Sequence, residues 1–375
     1  MKIIVSPDSF KGSCSAIEVA DSIEKAILAV DSIAEVVKMP VADGGEGTID
    51  AITSCVPATI YELEVCDPMG EQALAAYAVI EDGETAVIEM AQASGLPMVP
   101  VEKRNPLVAT TYGTGQLMKD ALNKGVKKMI IGIGGSATND GGAGMLMALG
   151  ASFRNIEGEE VALGGAALAD VVEIDLSEFD SRIFDVDITV ACDVTNPLVG
   201  ENGASYVYGP QKGATPEMVK ELDAALARFA KLSAKGFGED YSTYPGTGAA
   251  GGLGFALIAY CKAKFAAGID IVLNVSGFEK ELADADLVIT GEGRIDGQSV
   301  QGKVLYGIGT RAKEQGVPVI AIGGAVCSDS EALLSHGITA MFSIANGPMT
   351  LEHAMGNGCE LIEQITKNVM RVFLK

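Results

Sequence analysis

Charged side chains gather beside glycines at four points along the chain, each after a short apolar run. Residues 6–13 read SPDSFKGS, residues 41–48 VADGGEGT, residues 191–200 ACDVTNPLVG and residues 290–303 TGEGRIDGQSVQGK. Asp8 and Lys11 combine a carboxylate, which can orient a hydroxyl or a metal, with an ammonium, which can meet a phosphate or a carboxylate. Asp43 and Glu46 flank two glycines. That is a compact arrangement for a loop facing a divalent cation, or for a carboxylate that hydrogen-bonds a hydroxylated substrate. The same spacing also suits a helix N-cap with acidic residues in its first turn. Asp193 follows apolar residues and precedes a polar turn, where a partly buried carboxylate can accept a proton. Arg294 can fork onto a carboxylate or phosphate, with Glu292, Asp296 and Lys303 close by in sequence.

A fifth segment, residues 131–145, reads IGIGGSATNDGGAGM. A glycine-rich turn between strand and helix lets backbone N–H groups close around an anion, and the helix N-terminus adds partial positive charge. Gly134, Gly135, Ser136, Thr138, Asn139, Asp140 and Gly141 are the candidates here. Asp140 is placed to position a metal or a hydroxyl. The plainer alternative is a tight strand–helix connection with capping residues. Residues 208–214 (YGPQKGA) offer Lys212 in a glycine-bounded loop, with a solvated turn as the plainer alternative.

Two near-motifs fall away. Residues 297–303 (GQSVQGK) have P-loop spacing, but Val304 stands where the metal-binding Ser or Thr belongs. Residues 246–251 (GTGAAG) match GxGxxG without a buried strand before them. They serve either as a ligand-facing loop or as close packing.

Composition narrows the chemistry. A net charge of −23 argues against nucleic acid and anionic membrane surfaces as partners. The only histidines, His336 and His353, make a His-centred triad or a His-rich zinc site improbable. Seven cysteines without a CxxC pair fit reduced thiols. The opening residues reach a proline and a charge too soon for a signal peptide, so a cytoplasmic location is expected. No apolar run is long enough to span a bilayer.

Positioning these groups requires strands that end at one edge. Short apolar runs open strands at residues 2–5, 36–39, 129–133 and 187–191, and again at 286–290, 318–322 and 340–344. Helical periodicity over Ala16–Val30, with Ile17, Ala20, Ile23 and Ile27 on one stripe and a Ser15/Glu18 capping box, predicts the first helix. Further helices are predicted at residues 303–315, 351–373 and 216–234, the last capped by Thr215 with Pro216 at its first position. Residues 71–90 alternate as a hairpin turning at Asp82 and Gly83. This strand–loop–helix alternation predicts an α/β protein. A parallel-sheet domain is expected from both chain ends, residues 1–70 plus 285–375, with a second α/β domain inserted at 71–284.

Taken in order, SPDSFKGS, VADGGEGT, EKRNPL (residues 102–107), GIGGSATNDGGAG, ACDVTNPL, YGPQKGA, PGTGAAGGLG and ITGEGRIDGQS resemble the bacterial glycerate kinases with an interrupted α/β domain. The resemblance implies a flavodoxin-like domain, an inserted domain and a site in the cleft between them. It implies Mg2+-assisted transfer from ATP to D-glycerate. With it, residues 134–142 and Lys303 become the expected nucleotide contacts. Asp43, Glu292 and Asp296 become the expected Mg2+ ligands, and Ser9, Asp43, Arg294 and Asp296 the expected substrate contacts. Lys11 and Arg294 are expected to meet the glycerate carboxylate or the transferring phosphoryl group. Asp193 is the expected base or hydroxyl orienter, with Asp8 second. A kinase for another small hydroxy acid, a dinucleotide-dependent oxidoreductase and a non-catalytic acid-binding protein stay open, as do homo-oligomerisation and the hydroxyl that is phosphorylated.

Overall fold

The structure, a computed structural model, describes residues 1–80, 83–300 and 303–374. Asp82 of the expected hairpin turn and Gly302 of the rejected GQSVQGK motif lie outside the described residues. In chain order the strands are β1 (Lys2–Pro7), β2 (Glu35–Lys38), β3 (Ala58–Cys66), β4 (Gln72–Ile80), β5 (Thr85–Glu89), β6 (Lys128–Gly132), β7 (Ser152–Arg154), β8 (Glu173–Asp175), β9 (Asp187–Ala191), β10 (Lys264–Ala266), β11 (Leu287–Ile295), β12 (Val319–Val326) and β13 (Ile338–Ser343). The chain divides into two compact units. The first comprises Met1–Asp43, Asp50–Pro57 and Ala267–Lys375, and the second Gly44–Ile49 and Ala58–Ala266.

In the first unit both ends of the chain build one parallel sheet, ordered β13-β12-β11-β1-β2. Counted within the unit this is the flavodoxin-like order 2-1-3-4-5. Ile3 and Val5 on β1 and Leu287 and Ile289 on β11 point to one face. There they pack with Val19, Ala20, Ile23 and Ile27 of helix Ala16–Val30 and with Leu361, Ile362, Val369 and Met370 of helix Gly358–Phe373. Burying each such aliphatic side chain contributes about 1.5–3 kcal/mol. The Ser15/Glu18 capping box, which forms as expected, adds about 1 kcal/mol. Packing therefore decides where this helix lies, and capping decides where it starts. The buried stripe is centred on Val19, Ala20, Ile23, Ala26 and Ile27, and Ile17 is left exposed. The expected helix 351–373 is two helices, Leu351–Gly356 and Gly358–Phe373. Asn357, between two glycines, interrupts it and donates its side-chain amide to the His353 carbonyl.

The second unit carries a mixed six-stranded sheet, β10-β9-β6-β5-β4-β3. β5, β6, β9 and β10 are parallel, whereas β3 and β4 add on as antiparallel neighbours. β3 is an edge strand with most of its residues partly or fully exposed. Its Tyr61, Leu63 and Val65 alternate with Glu62 and Glu64 and pack on the core of this unit, a strand that was not among those expected. Helix Pro216–Phe237 has the expected Thr215 cap with Pro in its first turn. Its Phe229 packs edge-on against Phe153 and Phe255 in the core.

The glycine-rich turn after β6 departs from the simplest expectation. The positive end of the helix that follows it, Ala143–Ala148, is filled by an anion of the chain itself. Asp140 is fully buried. One carboxylate oxygen accepts from Thr111 N and Oγ1, both at 2.8 Å, and from Gly144 N at 3.2 Å. The other accepts from Gly142 N at 3.1 Å. Burial raises the Asp140 pKa, and these donors pull against the rise. Asp140 thus pins the turn to the start of helix Tyr112–Asn123 instead of reaching outward to a metal. Asp140→Asn keeps the shape but leaves one acceptor oxygen and sets an NH2 against an amide donor. It should lower stability by about 3 kcal/mol, because buried charge-assisted bonds are lost and a donor is stranded. The shift of the urea unfolding transition measures this.

Candidate active site

The order of the first sheet determines where a small molecule can enter. β1 and β11 are neighbours, but the chain leaves β1 toward β2 and leaves β11 toward β12 on the other side. Loops that part in this way open a crevice at the carboxyl ends of the two strands. A cavity of about 490 Å3 lies there. Asp8, Ser9 and Lys11 reach it from the loop after β1, and Asp43 from the segment after β2. Glu292 and Arg294 come from the end of β11, and Lys303 from the start of helix Val304–Gln315. Phe10, Ile344, Leu351 and Met355 form an apolar wall that charge-based reading of the sequence did not anticipate.

Asp8 is 8% exposed. Its amide donates to the Gly291 carbonyl at 2.8 Å, which ties the loop to β11, and its Oδ1 accepts from Ser9 N at 2.6 Å. Burial, reinforced by the Asp43 charge, pushes its carboxyl up to about 6, against the pull of the Ser9 N–H and Lys11. Burial likewise pushes Glu292 up to about 7. Opposing that rise, the Ser299 hydroxyl donates to Glu292 Oε1, a partnership the sequence did not reveal. Lys11 Nζ stands 3.6 Å from Asp43 Oδ2 with its side chain 76% exposed. The Asp43 charge holds the ammonium in its charged form. An ion pair this exposed is worth no more than about 1 kcal/mol, so a ligand can draw the ammonium away.

Three carboxylates expected together have separate engagements. Asp43 meets Lys11, Glu292 meets Ser299, and Asp296 stands apart from the cavity wall. Asp296 pairs with Arg294 Nε at 3.0 Å and accepts from Gln298 N at 2.9 Å, closing its own turn. Among the described residues no group of three His, Cys, Asp or Glu side chains forms a metal-holding cluster.

The remaining expected residues belong to the second unit. Gly134 and Gly135 are the accessible part of the glycine-rich turn, with Ser136 just beneath, whereas Thr138, Asn139 and Asp140 are fully buried. Gly134 has to be glycine, since a Cβ there would lie 2.8 Å from Gly45 Cα. Within the second unit Gly44 and Gly45 therefore pack backbone to backbone against Gly132 and Gly134. Lys212 is not in a solvated turn. It is 1% exposed, and its Nζ donates to Ser136 Oγ and to the Thr138 carbonyl, both at 2.7 Å. Burial pushes its pKa down to about 7. Only its flanking glycines hinted at a constrained position. GTGAAG serves packing, with Gly248 set against the Pro197 carbonyl and Gly251 against that of Thr138. Asp193 lies exposed in the segment after β9.

The glycerate kinase family model matches residues 3–374. A glycerate kinase of Bacillus subtilis (strain 168) is 50% identical over 369 residues, covering 98% of this chain and 97% of that protein. A glycerate 2-kinase of Escherichia coli (strain K12) is 47% identical with the same coverage. A crystal structure of a relative from Salmonella typhimurium LT2, 48% identical, superimposes with a TM-score of 0.89 over 100% of this chain and 98% of that one. A charged crevice at the switch point of a 2-1-3-4-5 sheet, and relatives that match from end to end, place this chain in the glycerate kinase family of phosphotransferases.

Proposed function

We propose that the protein transfers the γ-phosphoryl group of ATP to the 2-hydroxyl of D-glycerate in the cavity at the β1/β11 switch point. The observation that carries this reading is a buried carboxylate of raised pKa, Asp8, beside an exposed and readily released ammonium, Lys11. Glycerate needs a cation for its carboxylate and an acceptor for the proton of its attacking hydroxyl, and the two stand together here. The 2-hydroxyl is chosen because the Escherichia coli relative is named a 2-kinase.

In this mechanism Lys11 neutralises the glycerate carboxylate. Asp8 orients the attacking hydroxyl and takes its proton. Arg294 and Lys303 meet phosphoryl oxygens, and Ser9 hydrogen-bonds the substrate. Asp8 takes the role of base in preference to Asp193, because burial tunes its affinity for a proton toward neutral pH. Gly134, Gly135 and Ser136 are candidates for nucleotide contact, with Thr138, Asn139, Asp140 and Gly141 supporting their turn from inside. Hard carboxylate oxygens without an all-protein cage suit a Mg2+ that arrives with phosphates. Asp43 and Glu292 would hold it, and its charge would offset that of the polyphosphate. Phosphoryl transfer asks little covalent chemistry of the protein, so positioning and charge carry most of the rate.

ADP release coupled to D-glycerate, followed by 31P NMR of the product, tests the reaction. The expected product is 2-phosphoglycerate. A 3-phosphate overturns the regiochemistry, and ADP release with another hydroxy acid but not with glycerate overturns the substrate. Lys11→Ala should raise the glycerate KM by about 10–100-fold, the worth of one charge-assisted hydrogen bond. The base must be deprotonated to act, so kcat/KM should rise with pH along an acid limb between about 6 and 7, where Asp8 and Glu292 titrate. Asp8→Asn should lower kcat by about 100-fold or more, whereas Asp193→Asn stays close to the parent rate. The reverse pattern would return the role to Asp193.

A further inference from the structure

Two thiols from opposite ends of the chain meet behind the cavity. Cys14 closes the loop after β1, where its carbonyl accepts from Phe10 N at 2.8 Å. Cys359 opens helix Gly358–Phe373. Their sulfurs are 2.8 Å apart, and both are free thiols. Among the described residues no other two cysteines are in sulfur contact. The approach is built into the chain at position 358, where a Cβ would lie 2.3 Å from Ser13 Oγ and 3.0 Å from Cys14 Sγ. The Ser13 hydroxyl donates to the Met355 carbonyl at 2.6 Å, so the two segments are already tied by a hydrogen bond. The same segments line the cavity, with Asp8 and Lys11 on one side and Ala354 and Met355 on the other.

We propose that Cys14 and Cys359 are a redox-modification site, a thiol pair that peroxide converts to a reversible disulfide fastening the β1 loop to the C-terminal helix. The pair is asymmetric in a way that suits this chemistry. Cys359 is half-buried, the less enclosed of the two, and is the sulfur that meets the oxidant. Cys14 is buried, and burial pushes its thiol up to about 11, which keeps it protonated until a partner sulfur is activated. In the first step the Cys359 sulfur attacks one oxygen of hydrogen peroxide. The O–O bond breaks, an S–O bond forms, and the departing hydroxide leaves as water with the thiol proton. In the second, the Cys14 sulfur attacks the Cys359 sulfur. The S–O bond breaks, the S–S bond forms, and the hydroxyl leaves as a second water with the Cys14 proton. Two thiols lose two electrons in all, and one peroxide gains them. The sulfurs need to close by less than an ångström to reach the bonded separation of about 2.05 Å. In a reducing compartment such bonds are transient and regulatory, and a dithiol returns the pair to its starting state.

The cross-link joins two walls of the cavity and opposes the loop movement that substrate entry and product release require. The test begins with the unaltered protein. It is treated with hydrogen peroxide, its remaining thiols are alkylated, and its peptides are mapped by mass spectrometry. The expected result is a Cys14 peptide linked to a Cys359 peptide, with fragmentation excluding the other five cysteines. Glycerate phosphorylation should fall at least fivefold and return with dithiothreitol. Cys359→Ser should abolish both the link and the sensitivity while keeping the untreated rate, and Cys14→Ser should do the same. Free Cys14 after oxidation, or a linkage to another cysteine, overturns the pairing. A linked protein with unchanged kinetics overturns its regulatory role. The mapping decides the pairing even if glycerate is not the substrate, so the two readings fail separately.

Discussion

The first unit depends on one pairing, that of β1 with β11. Their register joins Val5 to Ile289 and Ser6 to Thr290, and the Thr290 hydroxyl donates to the Ser6 carbonyl across 284 residues. Loop closure over such a separation is entropically costly, but the cost grows only logarithmically with length. It is offset by a row of fully buried aliphatic side chains on both strands. The pairing makes one sheet from both ends of the chain and sets the switch point. Without it Asp8 and Glu292 belong to separate segments of sequence. With it they line one cavity.

Burial then turns ordinary carboxylates into chemically useful ones. Asp8 and Glu292 are both pushed up mainly by loss of water, and each raises the other or is raised by a neighbouring acid. Asp140, buried more deeply, is given four donors in place of water and serves structure instead. Three aspartates and glutamates of similar appearance in the sequence thus divide into two roles, according to whether their lone pairs are already filled. Lys212 shows the same principle with the opposite charge. Its ammonium is taken out of water to hold the glycine-rich turn by Ser136 and Thr138.

Much of this was legible in the chain. The parallel alternation, the first helix with its cap and the strand Asp187–Ala191 follow from apolar period and capping chemistry, which are local. The clusters around Asp8, Asp43 and Glu292 were visible because glycines and charges rarely gather at strand ends without a ligand to meet. β3 was passed over although Tyr61, Leu63 and Val65 alternate with Glu62 and Glu64, because five alternating residues show a strand only once the partner β4 that pairs with it is known. The break at Asn357 was hidden inside a pattern that reads as one amphipathic helix.

Residue types, their spacing and the polarity pattern by themselves determined the class of fold, the strand-end loops and a family resemblance whose motifs run in order from the N-terminus to about residue 310. Only the tertiary structure decided which acids share a cavity, which one is consumed in pinning a turn, that Lys212 is buried, and that two cysteines 345 residues apart touch. The physical reason is that these properties depend on exclusion of water and on hydrogen-bond saturation. Both are set by what packs around a side chain, and a one-dimensional pattern carries no record of those neighbours.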